Sequence, residues 1–450
     1  MKPIAMRPLT AFVALFVAAT GFLAATYSYR RITDTELNSF QTRALVLHGD
    51  VDLDRYPRAH LPAFFTRERG DNLYSIYGVG VSVLAAPIYA VLARTDASES
   101  FLQGAAAIPF VAAAVLLMYV LLSRLVARRI AVAGAVLFGF ATPMWPLASM
   151  AMFQHGPVAV FQVLGLIGLF SDKLRAPALA GFGFAAAAFI RPTTAIAFGL
   201  IGLLYLIQGK RASVLFALGS VIPIAGILIQ NRWIWGSWFT GGYSHSGIGF
   251  NGDMVSALWG LTFGWWRGMF VYSPFLILGV VGWLMAMRRA NGAVERKLVV
   301  LGLSVVATVL FYSRWSTWHN GSNQFGYRYL LDVVPFLVVL AAYAARRSER
   351  VRTYAVPAAV VALLTMTFGA APNNFGFDGV RNATRIEDTS FGQAWIAFFD
   401  EPLAGLVRVA GLVLLWFLML ALAPEPRVPR RVFDASLPAH GSGEPSAALP

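Results

Sequence analysis

The chain has 450 residues, of which 58% are hydrophobic and only 13% charged, and its formal net charge is +14. A water-soluble domain cannot bury that much apolar surface, whereas lipid can solvate it. The chain has no cysteine, which excludes disulfides, thiolate catalysis and zinc–cysteine sites. We therefore expect an all-α polytopic membrane protein.

Apolar runs between charged or turn-rich breaks predict about twelve membrane spans, several near the lower limit of ~20 residues. They cover residues 8–27, 101–123, 130–147, 154–171, 177–190, 192–208, 212–230, 268–287, 296–314, 329–346, 352–370 and 403–423. The breaks alternate between long aromatic ones and short basic ones such as "RLVARR", "MRRANGAVERK" and "ARRSERVR". Short basic loops stay in the cytoplasm, so the positive charge orients the chain and contacts lipid headgroups rather than nucleic acid.

The first break carries an unusual number of carboxylates: Asp34, Glu36, Asp50, Asp52 and Asp54. The last three alternate, so on an extended segment they would share one face. Such a face could bind calcium, but the spacing is not that of an EF-hand. A solvated turn is the simpler interpretation for these three.

The segment "SIYGVGVSVLAAPIYAVLA", residues 75–93, is long enough to cross the membrane. If it crosses, the N-terminus lies outside and the acidic break inside. If it lies along the membrane surface, the N-terminus is inside and the acidic break faces outward. Gly78, Gly80 and Pro87 interrupt a continuous helix, which favours the second arrangement.

Arg191 lies in "AAAAFIRPTTAIAF", with apolar sequence on both sides. A charge there is costly unless it is paired or faces a polar cavity, so Arg191 is a functional candidate. The alternative is an arginine that extends to the headgroups. Other arginines at the same span ends are Arg232, Arg267, Arg314 and Arg328. Arg328 could also pair with Asp332, four residues later, as a structural salt bridge.

Tryptophan is concentrated in two of the long breaks: Trp233, Trp235, Trp238, Trp259, Trp265, Trp266, Trp315 and Trp318. An interfacial aromatic belt explains part of this set, and a carbohydrate cleft with stacked sugars is consistent with it. His155 and His319 lie near the same span ends, where a helix cap or headgroup contact is the simpler role. No two histidines have the i,i+4 spacing of a metal site.

Several blocks resemble a known family. "DTE" with "ALVLHGD", then "YSIYGVG", and later "QNRWIWGSWFTGGY", "GMFVYSPFLIL" and "WSTWHNGSNQFGYRYLLDVVPFL" are similar to loop segments of the GT-C superfamily of membrane glycosyltransferases. That family includes protein O-mannosyltransferases, the aminoarabinose transferase of lipid A and the rhizobial galacturonosyltransferase-like group. The resemblance places the N-terminus inside, the acidic break outside, and residues 75–93 on the membrane surface.

The resemblance implies transfer of a sugar from a polyprenyl-phosphate donor to an envelope lipid, glycan or protein. A phosphate leaving group needs cations, and an acceptor hydroxyl needs a base. Asp34 matches the family's acidic position and is the expected base, with Glu36 as the alternative. The expected donor-phosphate ligands are Arg191, Arg328 and Arg267. The expected substrate contacts are His155, Trp315, Trp318, His319 and Tyr327. No residues are assigned to a metal, and a need for a divalent ion is left open.

These expectations give a transferase-like membrane domain over residues 1–423 and a disordered cytoplasmic tail over 424–450. The outer breaks are 28–100, which includes the surface helix, 231–267, 315–328 and 371–402. The chain would cross the plasma (inner) membrane many times with both termini in the cytoplasm. Two other functions remain open: a transporter or flippase of a lipid-linked sugar, and a non-catalytic envelope assembly protein. Few charges fall at span centres, which counts against the transporter.

Overall fold

The computed structural model describes residues 8–29, 32–58, 61–247, 249–319, 325–370, 389–400 and 402–424, with only the backbone of 390, 397, 398 and 400. The predicted tail beyond residue 424 and most of the last outer break, 371–388, lie outside this set.

Each predicted span coincides with a helical segment. The helices are α1 (Pro8–Ala25), α2 (Thr33–His48), α3 (Gly80–Leu92), α4 (Glu99–Leu125), α5 (Arg128–Phe140), α6 (His155–Leu169), α7 (Ala176–Ile190), α8 (Ala195–Gln208), α9 (Lys210–Gln230), α10 (Met254–Thr262), α11 (Met269–Tyr272), α12 (Ile277–Met287), α13 (Ala293–Ser313), α14 (Val334–Arg347), α15 (Glu349–Gly369), α16 (Ser390–Asp400) and α17 (Pro402–Leu422). Two strands, β1 (Thr66–Arg69) and β2 (Asn72–Ser75), form an antiparallel hairpin.

Among the described residues, 6 helical segments are long and apolar enough to cross a bilayer by length and composition. They are Pro8–Ala25, Glu99–Leu125, Lys210–Trp235, Arg328–Arg347, Glu349–Gly369 and Pro402–Leu422. Shorter apolar helices such as His155–Leu169 and Ala176–Ile190 pack between them. The exposed side chains of α8, α9 and α17 are largely aliphatic, as lipid-facing helices require.

The short basic breaks share one end of the helical bundle, called here the basic end. Arg128 at the start of α5 donates from Nε to the carbonyl of Ala423, 2.9 Å away, just after α17. Arg347 at the end of α14 pairs with Glu295 in the first turn of α13 at 3.1 Å. Because the helices run up and down, the long aromatic breaks meet at the opposite end, called here the loop end.

The segment between α1 and α4 leaves and returns at the loop end. The hydroxyl of Tyr27, just after α1, donates to the carbonyl of Ser100 in the first turn of α4 at 2.6 Å. With 13 residues, α3 spans only about 20 Å, less than the ~30 Å hydrocarbon core. Both ends of the segment therefore lie at the loop end, as the predicted surface helix requires.

Sequence reasoning treated residues 30–56 as a loop, whereas much of this segment forms α2. Its polar side chains are buried, which hides its amphipathic character from a hydropathy pattern. Asn38 donates from Nδ2 to the carbonyl of Met152 at 2.9 Å, and the hydroxyl of Ser39 lies 2.8 Å from that of Tyr89. These contacts fix α2 beside α3 and the start of α6.

The hairpin was also missed. Gly70 has a left-handed backbone (φ 58°), which suits glycine in the tight turn between β1 and β2. Arg67 on β1 donates from Nε to the carbonyl of His245 at 2.5 Å. The hairpin is thereby tied to the break that follows α9.

Helices α6, α7 and α9 approach each other through glycines. A Cβ atom at Gly219 would overlap the carbonyl of Ala178, and one at Gly181 would overlap that of Phe216. At Gly183 a Cβ would overlap the backbone of Gly165. Small residues allow such close backbone contact between helices in a membrane.

Candidate active site

A cavity of about 960 Å³ lies at the loop end, a volume suited to a small ligand. Its wall comes from the start of α2, from the residues that flank the hairpin, from the α7–α8 junction, and from the breaks after α9 and α13. The lining includes Asp34, Tyr77, Arg191, Thr193, Tyr243, Phe250, Tyr312, Trp315, His319, Arg328 and Tyr329. Residues far apart in sequence therefore share one polar and aromatic cavity.

Asp34 and Arg328 form an ion pair in the cavity wall. Asp34 lies in the first turn of α2, where the helix dipole stabilises a carboxylate. Arg328 begins the 3₁₀ turn Arg328–Val333 that leads into α14. Nη2 of Arg328 donates to Oδ2 of Asp34, and both residues are more than nine-tenths buried. The carboxylate expected to be the base and one arginine expected to bind phosphate are therefore in direct contact.

Arg328 has donors that no described residue uses. Its Nε and Nη1 atoms are buried and have no hydrogen-bond partner among the described residues. The guanidinium lies 5.3 Å from the ring centroid of Phe153 and 5.8 Å from that of Tyr329. The aromatic rings hold the plane of the guanidinium, and its unpartnered N–H groups can donate to a ligand.

Arg191 is bound from three sides. Its Nε donates to Oδ2 of Asp332 at 2.6 Å, Nη1 to Gln154 at 3.2 Å, and Nη2 to the hydroxyl of Tyr312 at 2.8 Å. It lies just after α7, where an extended backbone turns the chain toward the 3₁₀ turn Pro192–Thr194. Arg191 therefore lines the cavity as a paired, firmly held cation.

The local pairing of Arg328 with Asp332 is replaced by a crossed arrangement. Asp332 pairs with Arg191 through Oδ2 and with Nδ1 of His155 through Oδ1, at 3.1 Å. Arg328 instead reaches Asp34, 294 residues away in sequence. The i,i+4 spacing fails as a guide because Arg328 and Asp332 lie on a 3₁₀ turn, where residues three apart are aligned.

Among the other predicted site residues, Trp315 and His319 line the cavity. His155 lies behind the wall, against Asp332. Glu36, two residues beyond Asp34, is partly exposed and is not among the residues that line the cavity.

The remaining three predicted residues, Arg267, Trp318 and Tyr327, are buried outside the lining. Arg267 donates to the backbone carbonyls of His319 and Gly326. The ring of Trp318 lies against Gly260. The hydroxyl of Tyr327 donates to Ser273 at 2.7 Å. These contacts support the breaks that carry the lining.

Sequence reasoning missed the tyrosines of the lining. The hydroxyl of Tyr312 lies between Arg191 and Thr193, to which it donates at 2.9 Å. Burial raises the pKa of Tyr243 above its ordinary value, partly offset by Arg191, so its hydroxyl keeps its proton. Tyr243 falls within the quoted "GGY", but nothing in the apolar run around Tyr312 indicates its role.

No group of three or more His, Cys, Asp or Glu side chains suited to a metal occurs in the part of the chain that the structure describes. The acidic residues 50–54 serve the loop after α2. Arg55 pairs with Asp50 at 2.8 Å, and Oδ1 of Asp54 accepts from the backbone nitrogen of Leu73 at 2.9 Å. These contacts support the turn rather than the calcium interpretation.

We expect Asp332 to be important for stability. Asp332→Ala leaves the buried guanidinium of Arg191 without its carboxylate, and breaking a buried pair costs about 3–5 kcal/mol. The melting temperature of the variant in detergent should therefore fall. The double variant Arg191→Met with Asp332→Leu removes both charges and should regain most of the loss. An unchanged melting temperature in the single variant would contradict the buried pair.

No family model and no curated protein sequence matches the chain. Its structure is similar to that of ArnT from Cupriavidus metallidurans in the apo state, with TM-score 0.51 and 15% identity over 93% of this chain and 78% of ArnT. It also matches the Archaeoglobus fulgidus oligosaccharyltransferase tethered to an acceptor peptide, with TM-score 0.45 and 12% identity over 89% of this chain and 55% of that one. Both are GT-C glycosyltransferases. On the similarity to ArnT, this chain is a multi-pass membrane protein with the GT-C fold that the sequence predicts.

Proposed function

We propose that the protein transfers a sugar from a polyprenyl-phosphate donor to an envelope lipid, glycan or protein at the outer face of the plasma membrane. The observation that carries the proposal is the meeting of Asp34 and Arg328 in the wall of one cavity. A base and a cation are the two groups that such a transfer needs side by side. The similarity to the fold of ArnT supports the proposal.

Arg328 is the primary contact for the leaving phosphate. An N–H group on Nε or Nη1 can form a charge-assisted bond to a phosphate oxygen as negative charge develops on it. Arg191 lies in the same cavity but is already bonded to Asp332. It contributes a fixed positive field and retains N–H groups beyond the three in use.

Asp34 is the base. A carboxylate has two oxygens, so Asp34 can hold Arg328 through Oδ2 and accept the proton of the attacking hydroxyl on Oδ1. As the sugar–phosphate bond breaks, the acceptor oxygen bonds to the sugar and its proton moves to Asp34. The ion pair keeps the carboxylate charged in its buried position until that proton arrives.

The aromatic part of the cavity is suited to the sugar. Tyr77, Tyr243, Trp315 and Tyr329 present rings and hydroxyls around the polar centre. Sugars stack their apolar faces on such rings and exchange hydrogen bonds with tyrosine hydroxyls. His319, also in the lining, provides a further polar contact.

The competing function is a flippase, which would use charges along a path through the membrane. Most buried charged residues in the described ranges lie at the loop end, around Asp34, Arg267 and Asp332, with Glu295 at the basic end. This separation favours chemistry at one face.

Purified protein in detergent should consume a polyprenyl-phosphate sugar when an acceptor is present. Recovery of intact lipid-linked sugar, with activity only as movement across sealed vesicles, would favour the flippase.

The proposed orientation places the basic end and both termini in the cytoplasm, because short basic loops stay inside. The chain has no cysteine, so single cysteines can be introduced without a background. We expect Asp71→Cys, at the exposed hairpin turn, to react in intact cells with a membrane-impermeant thiol reagent. Ala290→Cys, exposed at the basic end, should react only after permeabilisation. The reverse pattern would invert the orientation.

A further inference from the structure

A second, much smaller pocket lies directly behind the Asp34–Arg328 pair. Its volume is about 10 Å³, and its wall includes Asn38, Gln154, His155 and Arg328. A cavity of roughly 10–15 Å³ holds one water molecule when two to four polar groups surround it. A phosphate or a sugar does not fit in this space.

Each of these four residues has a buried polar atom without a partner among the described residues. The atoms are Oδ1 of Asn38, Nε2 of Gln154, Nε2 of His155, and Nε and Nη1 of Arg328. All four residues are more than nine-tenths buried. Unpaired buried polar groups are costly, so several of them around one small pocket indicate a common partner.

The remaining contacts decide which of these atoms donate and which accept. Asn38 donates its amide to the carbonyl of Met152, which leaves Oδ1 as an acceptor. Gln154 accepts from Arg191 through Oε1, which leaves Nε2 as a donor. Asp332, ionised beside Arg191, only accepts. In the hydrogen bond between His155 and Asp332, Nδ1 of His155 therefore carries the proton and donates it. Nε2 of the neutral imidazole ring is then an acceptor.

One atom from each of the four residues matches the bonding capacity of one water molecule, and the second unpartnered nitrogen of Arg328 remains for the phosphate. Water can accept two hydrogen bonds, here from Arg328 and Gln154, and donate two, here to Asn38 and His155. We infer that the pocket holds one ordered water that joins Arg328 to His155, and that His155 is a positioning residue for Arg328. The second part rests on the proposed function of Arg328 at the phosphate.

Two substitutions of His155 separate its two bonds. His155→Gln can place an amide oxygen near the position of Nε2, which keeps the bond to water and gives up the bond to Asp332. His155→Asn can keep an N–H near the position of Nδ1 for Asp332 but has no group near Nε2. Misplacing a catalytic group by about 1 Å can cost up to ~10²-fold in rate. We expect turnover of a polyprenyl-phosphate sugar to fall about 10-fold or more in the Asn variant, with a nearly unchanged donor KM, and much less in the Gln variant.

His48→Asn, at the exposed end of α2, is the matched control and should keep wild-type turnover. The opposite order, with Asn active and Gln impaired, would show that His155 acts through Asp332 and overturn the positioning role. Wild-type turnover in both variants would overturn it as well. A high-resolution structure of the wild-type protein tests the water itself, and a pocket without density at that point refutes it. That measurement is independent of activity, so a protein that consumes no lipid-linked sugar would refute the proposed function and leave the water site to be judged alone.

Discussion

Asp34→Asn should lower turnover by about 10²–10⁴-fold, the usual contribution of a general base. Asparagine keeps the size of the side chain and an oxygen that can accept from Arg328, but it does not take a proton. Donor affinity should not weaken, because the substitution removes a negative charge beside the guanidinium expected to bind phosphate. The measurement is single-turnover rate and donor affinity for the variant and the wild type at equal concentration of folded protein.

Glu36→Gln decides between the two acidic residues of α2. Glu36 is two residues beyond Asp34 but does not line the cavity. If Asp34 is the base, Glu36→Gln should stay active, and Asp71→Asn at the hairpin turn controls for the loss of one negative charge at the same end. A fully active Asp34→Asn protein with an inactive Glu36→Gln protein would move the role to Glu36.

Arg328→Ala should weaken donor binding and turnover together. It removes the buried donors on Nε and Nη1, of which the phosphate would use at least one, and loss of one preorganised donor to a developing negative charge costs about 10²–10³-fold in rate. Arg328→Lys keeps the charge and the pair with Asp34 but lacks the planar fork, so it should restore only part of the loss. Donor affinity and turnover are measured side by side with the melting temperature, because the alanine variant also leaves Asp34 buried without its partner.

The control is Arg232→Ala, which removes an arginine at the same end of the bundle. Arg232 is exposed, and its Nη1 donates to the carbonyl of Gly236 outside the cavity lining. It should leave donor affinity unchanged. Unchanged donor affinity in Arg328→Ala would instead make Arg328 a structural partner of Asp34.

The apolar sequence around Arg191 predicts a charge that is either paired or faces a polar cavity, and the structure shows both. The guanidinium lines the cavity and is held by Asp332, Gln154 and Tyr312. Much of the effect of Arg191→Ala should therefore be a loss of stability from an unpaired Asp332. Hydropathy reveals that a buried charge needs a partner, but it does not identify the partner.

The spans were predictable because a segment in lipid must be apolar and must satisfy its own backbone hydrogen bonds. A sufficiently long apolar run does this by forming a helix. The identity of α2 was not predictable from the same pattern, because its buried face is polar and is satisfied by distant groups such as the carbonyl of Met152. The hairpin turn did carry a signal, Gly70 with Asp71 in "RERGDNLYS", which was overlooked beside the stronger apolar patterns.

The candidate site was also only partly predictable from the sequence. Asp34 and Arg328 could be proposed one by one, from a resemblance and from their places at span ends. Their contact could not, because it joins residues 294 positions apart and depends on how α2 and the start of α14 pack. The place of Tyr312 in the cavity lining could not be predicted, because a tyrosine in an apolar run has the same hydropathy whether it faces lipid or a cavity.

The glycine contacts between α6, α7 and α9 have a mechanical consequence. Helices in backbone contact at Gly181 and Gly219 have no side-chain layer that could compress or slide, so this half of the bundle is stiff. His155 begins α6 and Arg191 follows α7, so both are fixed to that stiff half. Any widening of the cavity for a bulky lipid-linked substrate must therefore come from the facing wall.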